Sequence, residues 1–220
     1  MKITKIVTTE FIAKGAEATI HRGSFLEIPI IIKQRDPKRY RMPQIDKEIR
    51  LHRLRAEARI LSLAWRLNIR VPAVLAIDTQ KQALLIEELQ GVPLYEFLTQ
   101  STVLELVPIF KEIGRTVAEL HKNDIIHGDL TVFNIIIDKF HHPWLIDFGL
   151  AHISIETEKQ ADDVLLFENT LKAITSSHQK LLRHFQDVYV ETFDKGQIIF
   201  EQAKKIQSRG RYIAREDRLE

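Results

Sequence analysis

An α+β architecture is expected of this chain, β-rich over residues 1–88 and helical from residue 94. Three features point to it. Short runs of β-branched residues recur before residue 88, interrupted by one helical pattern of about 24 residues. Beyond Gly91-Val92-Pro93 most apolar residues recur at helical steps. Within that helical half, one compact hairpin pattern carries a cluster of His, Asp and Asn. At 220 residues the chain can bury a real core, as one large domain or two small lobes.

Residues 3–12 read as a first strand, with Ile3, Ile6, Val7, Phe11 and Ile12 apolar. Lys14-Gly15-Ala16-Glu17-Ala18 is a turn, and Thr19-Ile20-His21 begins a second strand. Glu27–Lys33 is a third strand, ending in a lysine. A basic loop, residues 34–43, precedes a helix expected over Ile45–Asn68, with Ile45, Ile49, Leu54, Leu61 and Trp65 as its apolar stripe. Asp46 and Glu48 suit the start of that helix. Val71-Pro72 ends it. Val74–Asp78 and Ala83–Glu88 are two further strands joined by a short turn. Leu94–Thr99 is a short helix and Val103–Asn123 a long one. Helical patterns return over 161–174 and from Ser177 through Arg209, before a charged tail at 207–220.

The hairpin pattern lies between the long helix and the last helices. Ile135-Ile136-Ile137 is one strand, Asp138–Pro143 a polar connection and Trp144-Leu145-Ile146 the return strand. In an antiparallel pair, the residue before the first strand lies beside the residue after the second. Those residues are Asn134 and Asp147, so both can reach one cation. Gly149 is expected to let the chain turn after Asp147. Hard oxygen ligands such as these suit Mg²⁺, which is usually completed by substrate phosphates. A bland alternative makes Asp129, Asn134 and Asp147 turn and capping residues.

His127-Gly128-Asp129-Leu130-Thr131-Val132-Phe133-Asn134, followed by Asp147-Phe148-Gly149, matches the protein-kinase pattern H-x-D-x(4)-N and D-F-G. In that template Asp129 accepts the proton of the attacking hydroxyl. Asp147 bridges metal and phosphates, and Asn134 holds a second metal. Lys33 is the candidate for the lysine that contacts phosphates, and Glu57 for its helix partner. Glu57 could instead pair with Arg53, and Lys33 could be a surface lysine. Gly15 and Ala16 stand where a glycine-rich phosphate loop belongs, although an ordinary hairpin turn fits equally. Adenine would lie against backbone groups near Glu87 and Leu89, where 89–93 would be a hinge.

The chain resembles the family of small atypical kinase subunits of the KEOPS (EKC) complex. The resemblance spans nearly all of it. It is carried by Gly15-Ala16-Glu17-Ala18, Ile31-Ile32-Lys33, Pro37-Lys38-Arg39-Tyr40-Arg41, Glu57-Ala58, His127-Gly128-Asp129-Leu130-Thr131 and Arg209-Gly210-Arg211. It implies a reduced bilobal protein-kinase-like fold, with a β-rich N-lobe containing one long helix and a truncated helical C-lobe. It implies ATP and Mg²⁺ as cofactors, ATP hydrolysis, and phosphorylation of serine or threonine. Asp163 matches an aspartate that braces the catalytic loop. The implied partners are a threonylcarbamoyl-transferring KEOPS subunit on the C-lobe side, a small KEOPS subunit at the N-lobe, and tRNA. Two departures from ordinary kinases stand out. Gly128 replaces the arginine that grips a phosphorylated activation loop, and no Ala-Pro-Glu follows Asp147.

Composition sets the remaining bounds. The absence of cysteine excludes disulfides and thiolate chemistry. No apolar run is long enough to span a bilayer, so no membrane partner and a cytoplasmic location are expected. Net charge is +2, yet residues 33–70 hold twelve Lys/Arg against four Asp/Glu. Arg35, Lys38, Arg39, Arg41, Arg50, Arg53 and Arg209–Arg211 could track RNA phosphates, or form a solvated face. Two other functions compete: a small-molecule phosphotransferase of the aminoglycoside or choline type, and a catalytically weak scaffold.

Overall fold

The computed structural model describes the backbone of residues 6–15 and 18–216, and side chains over 7–15 and 18–209. The chain forms two compact units, Met1–Gln90 and Gly91–Glu220.

The first unit is a five-stranded antiparallel sheet with one long helix. Its elements are β1 (Ile6–Lys14), β2 (Ala18–Phe25), β3 (Ile28–Arg35), α1 (Pro43–Arg66), β4 (Val74–Asp78) and β5 (Ala83–Glu87). The spatial order is β1-β2-β3-β5-β4. Alternation along β3 sends Ile30 and Ile32 into a buried cluster with Ala83 and Leu85. Ile31, Lys33 and Arg35 share the opposite face. Pro43 sits where a helix tolerates proline, and α1 packs against β4 and β5.

The face that α1 buries includes Leu54 and Leu61 of the expected stripe but not Ile45 or Trp65. Leu54, Ala58, Leu61 and Ala64 are buried, whereas Ile45 and Trp65 are 50% and 56% exposed. The helix is too weakly amphipathic for its large apolar residues to reveal its inner face. Ala58 and Ala64, which the apolar stripe left out, lie on the buried face as well.

The second unit begins with β6 (Gly91–Pro93), α2 (Leu94–Gln100), α3 (Val103–Lys122) and β7 (Ile125–Ile126). A 3-10 turn at Val132–Asn134 leads to β8 (Ile135–Asp138) and β9 (Pro143–Leu145). Then come β10 (His152–Ile153), α4 (Thr157–Ile174), α5 (His178–Thr192) and α6 (Gly196–Glu216). Gly91–Pro93, expected as connection, pairs with β8 as a third strand beside the hairpin. Gly91 permits this, because a Cβ there would collide with the Ile137 carbonyl.

The helical stretch expected from Ser177 through Arg209 is broken at 193–195, where the Gly196 amide bonds the Phe193 carbonyl. The break is invisible in the apolar period because residues on both sides enter one core. Phe200, on α6, lies 5.3 Å from the Tyr189 ring on α5. Phe110, Phe167 and Phe185 extend this aromatic core. Each such buried side chain contributes about 1.5–3 kcal/mol. Residues 207–216, read as a charged tail, continue the α6 backbone.

Candidate functional site

In the first unit, Lys33 and Glu57 are brought together. The Lys33 ammonium lies 2.7 Å from Glu57 Oε1. The other oxygen, Oε2, accepts a 2.6 Å bond from Arg35 Nη2. Arg35 and Glu57 are each 2% exposed. Arg35 therefore leaves the set of arginines available to RNA. Arg50 is also engaged, binding Asp46 at 2.7 Å and the Arg35 carbonyl at 3.2 Å. Arg35, expected in the basic loop, lies on β3, which runs two residues further than expected. The signal was present: Lys33 and Arg35 are two apart, so they share a face once both are on one strand.

The turn expected to cover phosphates is only partly described. The Gly15 amide donates to the Ala18 carbonyl at 2.9 Å, which commits it to the hairpin. Ala16 lies outside the described residues. The Glu87 amide donates to the Ala73 carbonyl and its carboxylate accepts from the Ala73 amide, so Glu87 fastens the strand end locally. Leu89 is half-buried. Arg39 and Arg209 are exposed, and the Arg211 side chain lies outside the described residues.

In the second unit, the β8–β9 hairpin does what antiparallel register requires. Ile135 opposes Leu145, and the Ile146 amide bonds the Asn134 carbonyl at 3.0 Å. Asn134 and Asp147 therefore start from adjacent backbone. The sharp turn is made by Asp147 itself, with φ 61°, rather than by Gly149. Aspartate tolerates that left-handed region better than most residues. The Gly149 amide then donates to the Asp147 carboxylate at 3.2 Å.

Asp129 and Asn134 are held as a pair. Asn134 Nδ2 donates to the Asp129 carboxylate at 2.9 Å and to its carbonyl at 2.8 Å. With Nδ2 committed there, the Asn134 oxygen is the end that can face a cation. Among the described residues no group of three or more His, Asp or Glu could hold a metal ion by itself. A site with one carboxylate and one amide oxygen instead fits Mg²⁺ completed by phosphate and water.

Asp163, on α4, fastens the start of this loop. Its carboxylate accepts from the His127 amide at 2.6 Å and the Gly128 amide at 2.8 Å. Burial would push the Asp163 carboxyl up, but hydrogen bonds with His121 and the His127 amide hold it below the usual range. His121 lies between Asp163 at 3.3 Å and the Tyr189 hydroxyl at 2.6 Å. Burial, then the Asp163 charge, pushes the Tyr189 phenol up, so it stays a donor to His121. His121 and Tyr189 were not anticipated, because helical spacing places them only in the core.

His127 holds the loop from inside. Burial pushes its imidazole below the ordinary histidine value despite nearby Asp163. It is therefore neutral, with Nδ1 accepting from the Asp129 amide and Nε2 donating to the Ile146 carbonyl at 3.0 Å. The buried Phe148 ring lies 4.6 Å from the imidazole. Gly128 has φ 77°, and a Cβ there would come within 2.5 Å of the Leu150 carbonyl. This backbone has no room for the arginine that many kinases carry at this place.

Comparison with known proteins gives the family. The family model described as RIO domain matches residues 27–188. A Pyrococcus abyssi protein named KEOPS complex subunit Bud32 is 37% identical, covering 94% of this chain and 97% of its own length. A probable serine/threonine-protein kinase BUD32 homolog from Archaeoglobus fulgidus is 33% identical over 84% of this chain and 90% of its own. A probable bifunctional tRNA threonylcarbamoyladenosine biosynthesis protein of Methanocaldococcus jannaschii is 35% identical over 94% of this chain, which spans 38% of that longer relative. The RIO-domain match and the near full-length Bud32 likeness, together with the Asp129–Asn134 loop, place the chain in the RIO-domain family of atypical kinases, among the relatives of Bud32.

Proposed function

We propose that this chain is a magnesium-dependent ATP phosphotransferase working mainly as an ATPase within a KEOPS-type assembly that makes threonylcarbamoyladenosine in tRNA. The carrying observation is the loop that holds the Asp129 carboxylate 2.9 Å from the Asn134 amide. Magnesium-ATP, when bound, supplies the phosphoryl group and the metal charge that shields it. Asp129 accepts the proton of the attacking water or hydroxyl. Asn134 and Asp147 hold the metal. Lys33, oriented by Glu57, contacts phosphate oxygens. Gly15 and Ala16, with backbone groups of Glu87 and Leu89, line the nucleotide. Asp163 keeps Asp129 in place through the loop backbone.

The names of the relatives support the assembly: a KEOPS subunit in one case and a tRNA-modifying fusion in another. A threonylcarbamoyl-transferring subunit on the side of the second unit and a small subunit at the first unit are the proposed partners, in the cytoplasm. Arg39, Arg209 and Arg211 are the proposed tRNA contacts. Phosphorylation of serine or threonine is the second reading, supported by the name of the Archaeoglobus relative. An ATPase assay with and without tRNA and the transferring subunit tests the main reading. Turnover should require Mg²⁺, rise with both additions, and vanish in Asp129→Ala and Asp147→Ala. Undiminished turnover in both variants overturns it.

A further inference from the structure

We propose that Arg35 is a second, permanent anchor for Glu57, which keeps α1 in its phosphate-ready position without nucleotide or partner. This rests on the ATP-handling role given to Lys33. In many protein kinases the lysine–glutamate pair is made and broken as the helix moves, and that movement controls activity. Here the carboxylate has two oxygens and two cations. Lys33 takes Oε1 at 2.7 Å and Arg35 takes Oε2 at 2.6 Å. When Lys33 turns toward a phosphate, Glu57 keeps a partner. A buried carboxylate with Lys33 alone would have to be stranded or moved at that moment.

The rest of α1 is fastened to the same strand end. The Arg35 amide donates to the Gln82 carbonyl at 3.1 Å, and Gln82 Nε2 donates to the Lys47 carbonyl of α1 at 3.0 Å. Arg50 of α1 donates to the Arg35 carbonyl. Asp46 of α1 binds Arg50, the Lys38 amide at 3.3 Å and Arg41 at 3.6 Å, which ties down the loop between β3 and α1. Swinging the helix outward would break these attachments together with the buried ion pair. Arg35 is also a costly choice for stability alone, since its Nε is buried without a hydrogen-bond partner. A fully apolar cluster in place of all three charged side chains often serves a core as well or better. Gly128 removes the arginine through which a phosphorylated activation loop would act, so a fixed α1 is consistent with an enzyme that has no such switch.

Arg35→Met and Arg35→Lys in the full chain test the anchor. Because Lys33 still pairs Glu57, Arg35→Met should still fold, melting below wild type because Glu57 Oε2 loses its donor. Its kcat for ATP hydrolysis should fall about tenfold with KM within about twofold, the pattern of lost transition-state positioning. Arg35→Lys should recover part of kcat. Arg35→Met/Glu57→Gln should be no slower than Glu57→Gln alone, since both act through one group. Amide exchange over residues 52–62 should be faster in nucleotide-free Arg35→Met than in wild type, and wild-type exchange there should not change when ATP and Mg²⁺ are added. Wild-type turnover in Arg35→Met, multiplicative losses in the double variant, or wild-type α1 exchange that slows on adding ATP overturns the anchor. If wild type hydrolyses no ATP, the functional reading fails while the exchange comparison still decides the anchor. Should Arg35→Met fail to fold, Arg35→Lys carries both readouts, and wild-type values in it overturn the proposal.

Discussion

Lys33 and Asp129 are held by opposite means. In the first unit a strand and a helix far apart in sequence meet through side-chain charges: Lys33, Arg35 and Glu57. In the second unit a loop is held through its backbone. The amides of His127 and Gly128 end on Asp163, and the Asp129 amide ends on His127. The difference follows from geometry. A side chain on regular structure has its backbone already paired, so only its far end can be positioned. A loop has unpaired backbone groups, and satisfying them positions every side chain it carries. The charge cluster should therefore fail when its shared carboxylate is lost. The loop should fail when its acceptor is lost.

The largest effect should come from Glu57→Ala. Two buried cations would then face each other without their carboxylate, costing about 3–5 kcal/mol. Urea unfolding followed by circular dichroism measures this, and a loss below 1 kcal/mol would show that the cluster is not shared as described. Asp163→Ala should cost about 2–4 kcal/mol, since the buried His127 amide and the half-buried Gly128 amide lose their acceptor. Its ATP turnover should drop to background even where the protein stays folded. Full turnover at unchanged stability would mean that the loop holds itself.

The mildest test is pH. The His127 value is lowered on folding, so the unfolded chain takes up that proton first. The stability it contributes is present above the ordinary value of 6.5 and is lost as pH falls below it. Asp163 is lowered as well, so its contribution is present above 3.8 and is lost at more acid pH. Stability should be flat from neutral upward, then decline by up to about 1.4 kcal/mol per pH unit below 6.5. His127→Gln should flatten that upper part and keep the decline below 3.8. An unchanged profile in the variant would assign the decline to another group.

Much of the second unit was legible in the chain. Asn134 and Asp147 are neighbours because two three-residue apolar runs, with a polar connection between them, can pair in only one sensible way. The pattern ends β3 at Lys33, two residues short of the strand that carries Arg35. Ile45 and Trp65 were misread as core because a bulky apolar residue on a helix weighs more in a pattern than a small one. In the structure Ala58 and Ala64 are buried beside Leu54 and Leu61, while Ile45 and Trp65 stay exposed.

The order of residues along the chain determined local matters: where most strands and helices run, and which side chains offer oxygen ligands, while the pairing of Lys33 with an acid on the following helix came from the kinase pattern. The first two follow from periods of two and 3.6 and from the chemistry of oxygen ligands. It could not say that Glu57 would be divided between two cations. Nor could it say that Asp163 would receive two amides from a loop 35 residues away, or that Tyr189 would stand behind His121. Those contacts join residues with no periodic relation to one another. They exist because packing excludes water, and each buried polar group must then find its partner wherever the fold has placed one.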